Sequence, residues 1–585
     1  MKNVILLLFM VMSGGLIAQF PNNWESIKLK PWEEWANNNR QYLKGASLTN
    51  HLRPYAQATK MAAFDEELAP FYHGIASGDP MANGVIIWTR VTPPDNELAI
   101  EVAWEMATDP NMNGMVANGM VTADASSDFT VKVDVQGLNP NTTYYYGFKA
   151  LNQFSLIGRT KTAPIGNEVE QMRFAVVTCS NYQHGFFNAY ARIAEQHDLS
   201  AVVHLGDYIY EYGAGSSVGR PHEPAYEIVN LNDYRTRHSY YKLDPDLRAA
   251  HQQHPFIVTW DDHEIANNAW SDGAQNHNSG EGAWQDRKNE AKQAYFEWMP
   301  IREQAEQQVY RNLAYGSLID WIVLDTRHEG RQEQLESDTI PEYTDPNRTI
   351  LGETQYNWFA NALLSSNAKW KLVANQVVFA PLNTLGLIDN FDAWDGYTPE
   401  RNKIINFLAD NQLDNLVFFT GDVHVGFAGD IAVNPFDAYN PDTNEGYDPT
   451  TGNGAYAVEM VTPSITSYNL DESGQTFPID IDLLPTLAIT INPHGKFVDL
   501  VNHGFMLVDV NSTRVQGDWY WVATTAEPSD SVYQLQSWYT LDGENFLQMA
   551  NEATLPLPDA PVPAPSDVPT GLNEDAELLI AGWTM

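Results

Sequence analysis

The feature that most restricts the fold of this chain is a series of short apolar runs, each ending in polar or ionisable residues. RFAVVTCS (173–180), AVVHLGD (201–207), FIVTWDDHE (256–264), DWIVLDTR (320–327), WKLVANQ (370–376) and NLVFFTGDVH (415–424) follow one another in this form. Short runs rich in Val, Ile and Phe, with little polar alternation, read as strands buried on both faces. Helical stretches such as FFNAYARIAEQH (186–197) and ETQYNWFANALLSS (353–366) lie between them. This alternation predicts an α/β catalytic domain over roughly 168–525. In open α/β sheets the reactive groups gather outside the carboxyl ends of the strands, and those ends carry Cys, Asp, His, Asn and Arg here.

Other segments differ in character. MKNVILLLFMVMSGGLIAQF has a lysine, an apolar run and small residues before a cut after Ala18, which predicts a signal peptide over 1–18 and export to the periplasm or beyond. The apolar run is too short to span a bilayer, no later stretch is long enough, and there is no twin arginine or lipid-acceptor cysteine. A Trp-containing helical extension is expected over 19–68. GVIIWTRVTP, AIEVAWEMA and FTVKVDVQGL, followed by the turn and Tyr-rich strand LNPNTTYYYGFKA, predict a small all-β sandwich of immunoglobulin or fibronectin type over 69–165. Its expected role is scaffolding. After 525 comes a cap or tail, 526–585, containing the proline-rich LPLPDAPVPAPSDVP (555–569). No fixed-period repeat is present.

Charge narrows the partners. Thirty-three basic against 75 acidic residues give a formal net charge of −42, which repels nucleic acid and anionic lipid. An anionic substrate then needs a local positive patch, which bound metal ions can provide. Cys179 is the single cysteine, so no intramolecular disulfide can form.

Four strand ends offer metal-binding chemistry. Asp207 is a hard carboxylate able to bridge two cations. Tyr210, three residues on, could reach the same ion as a phenolate. Phenolate and the Cys179 thiolate together favour a strongly Lewis-acidic ion such as ferric iron. Asp422 and His424, two apart at a strand end, can face one site. His263 follows Asp262 directly and can act as an acid or hydrogen-bond donor near neutral pH.

A Gly-Asp-x-x-Tyr, a later Asp-His-Glu and a final Gly-Asp-x-His resemble the calcineurin-like and purple-acid-phosphatase type of metallophosphoesterase. FYHGIASGDPMANGVIIWTRV (71–91), TCSN, LGDYIYEYG, TWDDHEIANN, LDTR, GDVHVG, VEMVTPSITS and NPHGKFVDLVNHGF (492–505) are similar, in order, to the alkaline phosphatase D family. The resemblance spans about 70–525. It implies a calcineurin-like metallophosphoesterase core, with sheets layered against helices, and a site holding Fe3+ and Ca2+. It carries the iron ligands to Cys179, Asp207, Tyr210 and His424, and assigns Asp422 and Asp262 to the other metal. Asn268, or its neighbour Asn267, is a further candidate. The family's twin-arginine export is not matched, so this chain would be exported unfolded and without metal.

The implied reaction is hydrolysis of small phosphate esters by a metal-activated water, with inorganic phosphate released. His263 and Asp262 are the candidate catalytic residues, and Arg327 a candidate contact to phosphate or a structural ion pair. Two alternatives stay open. A phosphodiesterase, of phospholipase D type for example, would use the same metals. An acidic, calcium-dependent surface-binding protein would fit the low isoelectric point and the loop NPDTNEGYDPTTGNG (440–454). The oligomeric state is left open.

Overall fold

A computed structural model describes residues 64–569 apart from 95–96, 217, 385–389 and 475–479. The expected signal peptide, most of the helical extension and the last residues of the tail lie outside the described residues. Two large sheets form the body, one of ten strands and one of seven. At the centre of the first, Gln171–Val177, Ala201–His204 and Pro255–Val258 run parallel.

Strand pleating explains why these runs are apolar throughout, since successive side chains point to opposite faces. Ala175, Val177, Val202, Phe256 and Val258 pack among helical residues such as Tyr190, Tyr241, Leu247 and Tyr295. Their neighbours Phe174, Val176, Ala201, Val203 and Ile257 face the second sheet, meeting Trp321, Leu372, Val417 and Met460. The far face of that sheet, including Ile322, Val373 and Phe418, is covered by Phe359, Leu363, Ile404 and Leu408 from helices Gly352–Ser365 and Thr398–Asp410. The order of layers is therefore helix, sheet, sheet, helix. Each fully buried Val, Ile, Leu or Phe side chain stabilises this stack by about 1.5–3 kcal/mol.

The β-rich region before residue 165 is the segment expected to form a small all-β sandwich. Its strands do make two packed layers, with Val85, Ile87, Val131 and Val135 against Val102, Met106, Tyr146 and Phe148. One layer, however, is continuous with the ten-stranded sheet: Ile75–Met81 pairs in parallel with Pro255–Val258, placing Ser77 opposite Pro255. Two close contacts explain the attachment. A Cβ on Gly78 would fall 2.0 Å from the Pro300 carbonyl oxygen. Buried Asp79 pairs with Arg311 and accepts from the Arg302 backbone nitrogen at 2.7 Å.

Val532–Leu541 and Gln548–Met549 extend the ten-stranded sheet beyond residue 525. The described part of the proline-rich segment lies against the N-terminal layer: the Val562 carbonyl accepts from Tyr145 at 2.5 Å, and Ala564 exchanges two hydrogen bonds with Gln253. Among the described residues no helix is long and apolar enough to cross a membrane.

Candidate metal centre

Strands of both sheets end at one place. Hydrogen bonds join the first two ends directly, Cys179 N donating to Gly206 O at 3.1 Å and Ser180 N to Asp207 O at 2.9 Å. Gly206 makes room for the third: its φ is 114°, and a Cβ there would stand 2.4 Å from the Asp261 nitrogen. Each chain then turns sharply. Cys179 (φ 57°), Asp207 (57°), Asp422 (66°) and His424 (61°) all adopt left-handed backbone. For residues other than glycine this costs about 1–3 kcal/mol each. Four such turns at one focus show a backbone bent to aim side chains rather than to complete a sheet.

The first group is Cys179, Asp207 and His424, whose donor atoms lie within 4.8 Å of one another. Cys179 Sγ is 3.5 Å from Asp207 Oδ2, and the Tyr210 hydroxyl donates to that same oxygen at 2.8 Å. The carbonyl of Tyr468 holds His424 Nδ1 at 2.8 Å. That contact fixes the tautomer and leaves Nε2 as the donor, the arrangement expected of a ligating histidine. Burial, and then the neighbouring Asp207, push the Cys179 thiol well above its ordinary range. Burial also raises Asp207 and Tyr210, and lowers His424 to about 4. Burial thus opposes charge on these groups, and a cation bound among them would favour their deprotonated, ligating forms.

The second group is Asp261, Asp262 and Asp422. Arg327 is fully buried among them, with Nη2 at 2.8 Å from Asp422 and 3.6 Å from Asp262, Nε at 2.5 Å from Asp261, and Nη1 at 2.6 Å from Asp392. Its guanidinium is thus engaged as the counter-ion of the acid cluster and does not point to open solvent for a phosphate. Burial pushes Asp422 up to about 7 and Asp261 well above the carboxylate range. Burial also opposes the charge on Asp262, but Arg327 and His263 outweigh it and hold this carboxyl at about 2. Asp261 Oδ2 is buried without a hydrogen-bond partner. One guanidinium therefore does not satisfy the cluster, and the donor set fits hard cations.

Asp207, Asp262 and His263 form a third set that links the two groups. Asn267 turns its side chain to Gln275, whereas the Asn268 backbone nitrogen donates to Asp262 at 2.5 Å, keeping this φ 50° residue at the second group.

His263 lies beside both groups. Its Nδ1 is 2.7 Å from Glu211 Oε2, and its ring packs 4.2 Å from that of Tyr210. Burial alone would lower its pKa, but Asp262, Glu211 and Asp207 outweigh burial and lift it well above the ordinary histidine range. Glu211 was not legible as a partner in the sequence, nor was Glu264. The Glu264 carboxylate accepts from the backbone nitrogens of Asp207, Tyr208 and Asp261 at 3.1, 2.6 and 2.9 Å, tying two strand ends together. Asp261 was missed for a simple reason: adjacent residues on a strand point to opposite faces, and only a bend lets Asp261 and Asp262 share a focus.

Known proteins resemble this chain over most of its length. The family described as PhoD-like phosphatase matches residues 174–519, and its N-terminal domain matches residues 56–164. Alkaline phosphatase D of Bacillus subtilis (strain 168) is 35% identical over 562 residues, which cover 90% of this chain and 92% of that protein. A solved structure of PhoD superposes with a TM-score of 0.73 at 34% identity, covering 84% of this chain and 94% of the other.

Proposed function

The chain belongs to the PhoD-like phosphatase family, and from that premise we propose that it is an exported, metal-dependent phosphoric ester hydrolase that releases inorganic phosphate from small phosphate esters. The observation that carries this reading is the meeting of a Cys–Asp–His group with a triple-Asp group through Asp207 and Asp262. Cys179, Asp207, Tyr210 and His424 would hold a ferric ion. Asp262, Asp422 and Asn268 would hold calcium, with Asp207 between the two. Bound cations supply concentrated positive charge and Lewis acidity, which neutralise phosphate oxygens and activate water at neutral pH.

The chain's own groups do the rest. The buried carboxylates repel a phosphate ester unless they are neutralised, so binding depends on the loaded state. Glu211 keeps His263 protonated and oriented, so its imidazolium can stabilise or protonate the leaving oxygen. Glu264 and Arg327 hold Asp207, Asp261 and Asp422 in place.

The test is metal analysis beside hydrolysis of a chromogenic phosphate monoester and diester, for wild type and Cys179→Ala. Stoichiometric iron and calcium are expected, with iron and turnover both lost in the variant. The ratio of monoester to diester turnover identifies the preferred substrate. Turnover without any transition metal, unchanged in Cys179→Ala, would overturn the ferric site.

A further inference from the structure

We infer that Ser467 is a positioning residue of the metal centre, acting through Tyr210 by donating a hydrogen bond to its phenolate oxygen. The inference rests on the reading of Tyr210 and His424 as ligands, and adds to it the group that sets the electron donation of one of them. Ser467 lies in the segment Thr462–Leu470, which crosses the strand ends without contributing a ligand of its own. Ser467 Oγ is 2.6 Å from Tyr210 Oη and 2.9 Å from the Cys179 carbonyl oxygen. A hydroxyl has one proton to give. The carbonyl already receives the backbone N–H groups of Thr466 and Ser467, at 3.3 and 3.2 Å, so Tyr210 is the acceptor that still needs it. Once Tyr210 loses its own proton, the bond becomes charge-assisted and strengthens.

The segment is held rigidly for this purpose. Ser464 Oγ donates to the Ser467 carbonyl at 2.7 Å and lies 2.9 Å from His503 Nδ1, while His503 Nε2 is 2.9 Å from Glu472. Thr466 Oγ1 donates to the Asn181 carbonyl at 2.8 Å. The next residue, Tyr468, supplies the carbonyl that orients His424. One short segment thus governs both Tyr210 and His424 from behind.

The experiment uses the full chain, loaded with ferric iron from a chelate, as wild type, Ser467→Ala and Ser467→Thr. Tyrosinate ring vibrations enhanced by excitation in the visible absorption band report the phenolate ligand. In Ser467→Ala the absorption is expected at longer wavelength, because a phenolate without its donor gives electron density more readily. Iron affinity is expected to fall about 10–100-fold, the usual cost of losing such an outer partner. Ser467→Thr, which keeps the hydroxyl, should restore both. Circular dichroism separates these effects from misfolding. An alanine variant with wild-type absorption and iron affinity would overturn the inference while the ligand reading stands. Wild-type iron without tyrosinate vibrations would overturn the ligand reading of Tyr210, and the inference with it.

Discussion

Glu211 shows how far one buried side chain sets the chemistry of its neighbours. It is fully buried, yet His263, Asn276 and the Asn267 backbone nitrogen together hold its pKa below the ordinary glutamate value against the opposing effect of burial. The pairing keeps the His263 imidazolium charged, so the work this ring can do is present below its raised pKa and lost as pH rises through it. Replacing Glu211 with Gln removes a charge-assisted bond worth about 1.5–3 kcal/mol. That lowers the imidazole pKa by about one to two pH units. The alkaline limb of a kcat/KM profile is therefore expected to move to lower pH by that amount, with the acidic limb little changed. An alkaline limb that stays in place would assign the limb to another group. Arg327 teaches a related lesson: an arginine after a strand end is as easily a buried counter-ion as a phosphate contact, and only its neighbours decide.

Among the elements, the strands bury side chains while their termini do chemistry. The two roles meet within a few residues, because the backbone turns left-handed at Cys179, Asp207, Asp422 and His424 as soon as pairing ends. The proline-rich segment joins two parts of the body by hydrogen bonds. Its described part fastens the N-terminal layer to helix Pro245–Gln253, with Arg159 donating to Pro561 at 3.3 Å and Gln252 donating to Pro565 at 2.7 Å. Gln253→Ala removes both hydrogen bonds to Ala564, a loss of about 1–3 kcal/mol in local docking. Faster proteolytic cleavage within 555–569 is expected at unchanged kcat/KM for a phosphate monoester. Cleavage at the wild-type rate would show that other contacts hold the segment.

Acidity governs the energetics of the molecule taken as a whole. A net charge of −42 opposes compaction, and part of that charge is concentrated at the site, where Asp207, Asp261, Asp262 and Asp422 stand close together. Cations that bind only the folded state stabilise it by mass action, by about 2.7 kcal/mol per site at a free concentration of 100 Kd. Removing metal with a chelator should therefore lower Tm, and calcium with iron should restore it. Adding sodium chloride at equal ionic strength should recover only a part, because screening acts weakly on buried charges. Full recovery by salt alone would assign the effect to the surface and not to the centre.

The layers and the reactive ends were legible from the order of residues alone. Apolar runs buried on both faces read as central strands, and an Asp or a His after them has little packing reason to be there, whereas Cys179 is singled out only by the ordered motifs around it. Asp207, Asp422 and His424 were readable as candidates on that ground, and Tyr210 through its spacing from Asp207. Which groups share a focus, and which support them, emerged only from the folded chain. Glu211 beneath His263 and Ser467 behind Tyr210 come together from distant segments, and a backbone bend brings the adjacent Asp261 and Asp262 to one focus. The same is true of the N-terminal layer: alternation predicted its strands, but whether Ile75–Met81 pairs within its own region or with Pro255–Val258 depends on contacts at Gly78 and Asp79 across more than one domain's length of chain. Local pattern fixes the conformation of a segment and which of its faces is buried; the partner of that face is set by packing between segments, which no local pattern encodes.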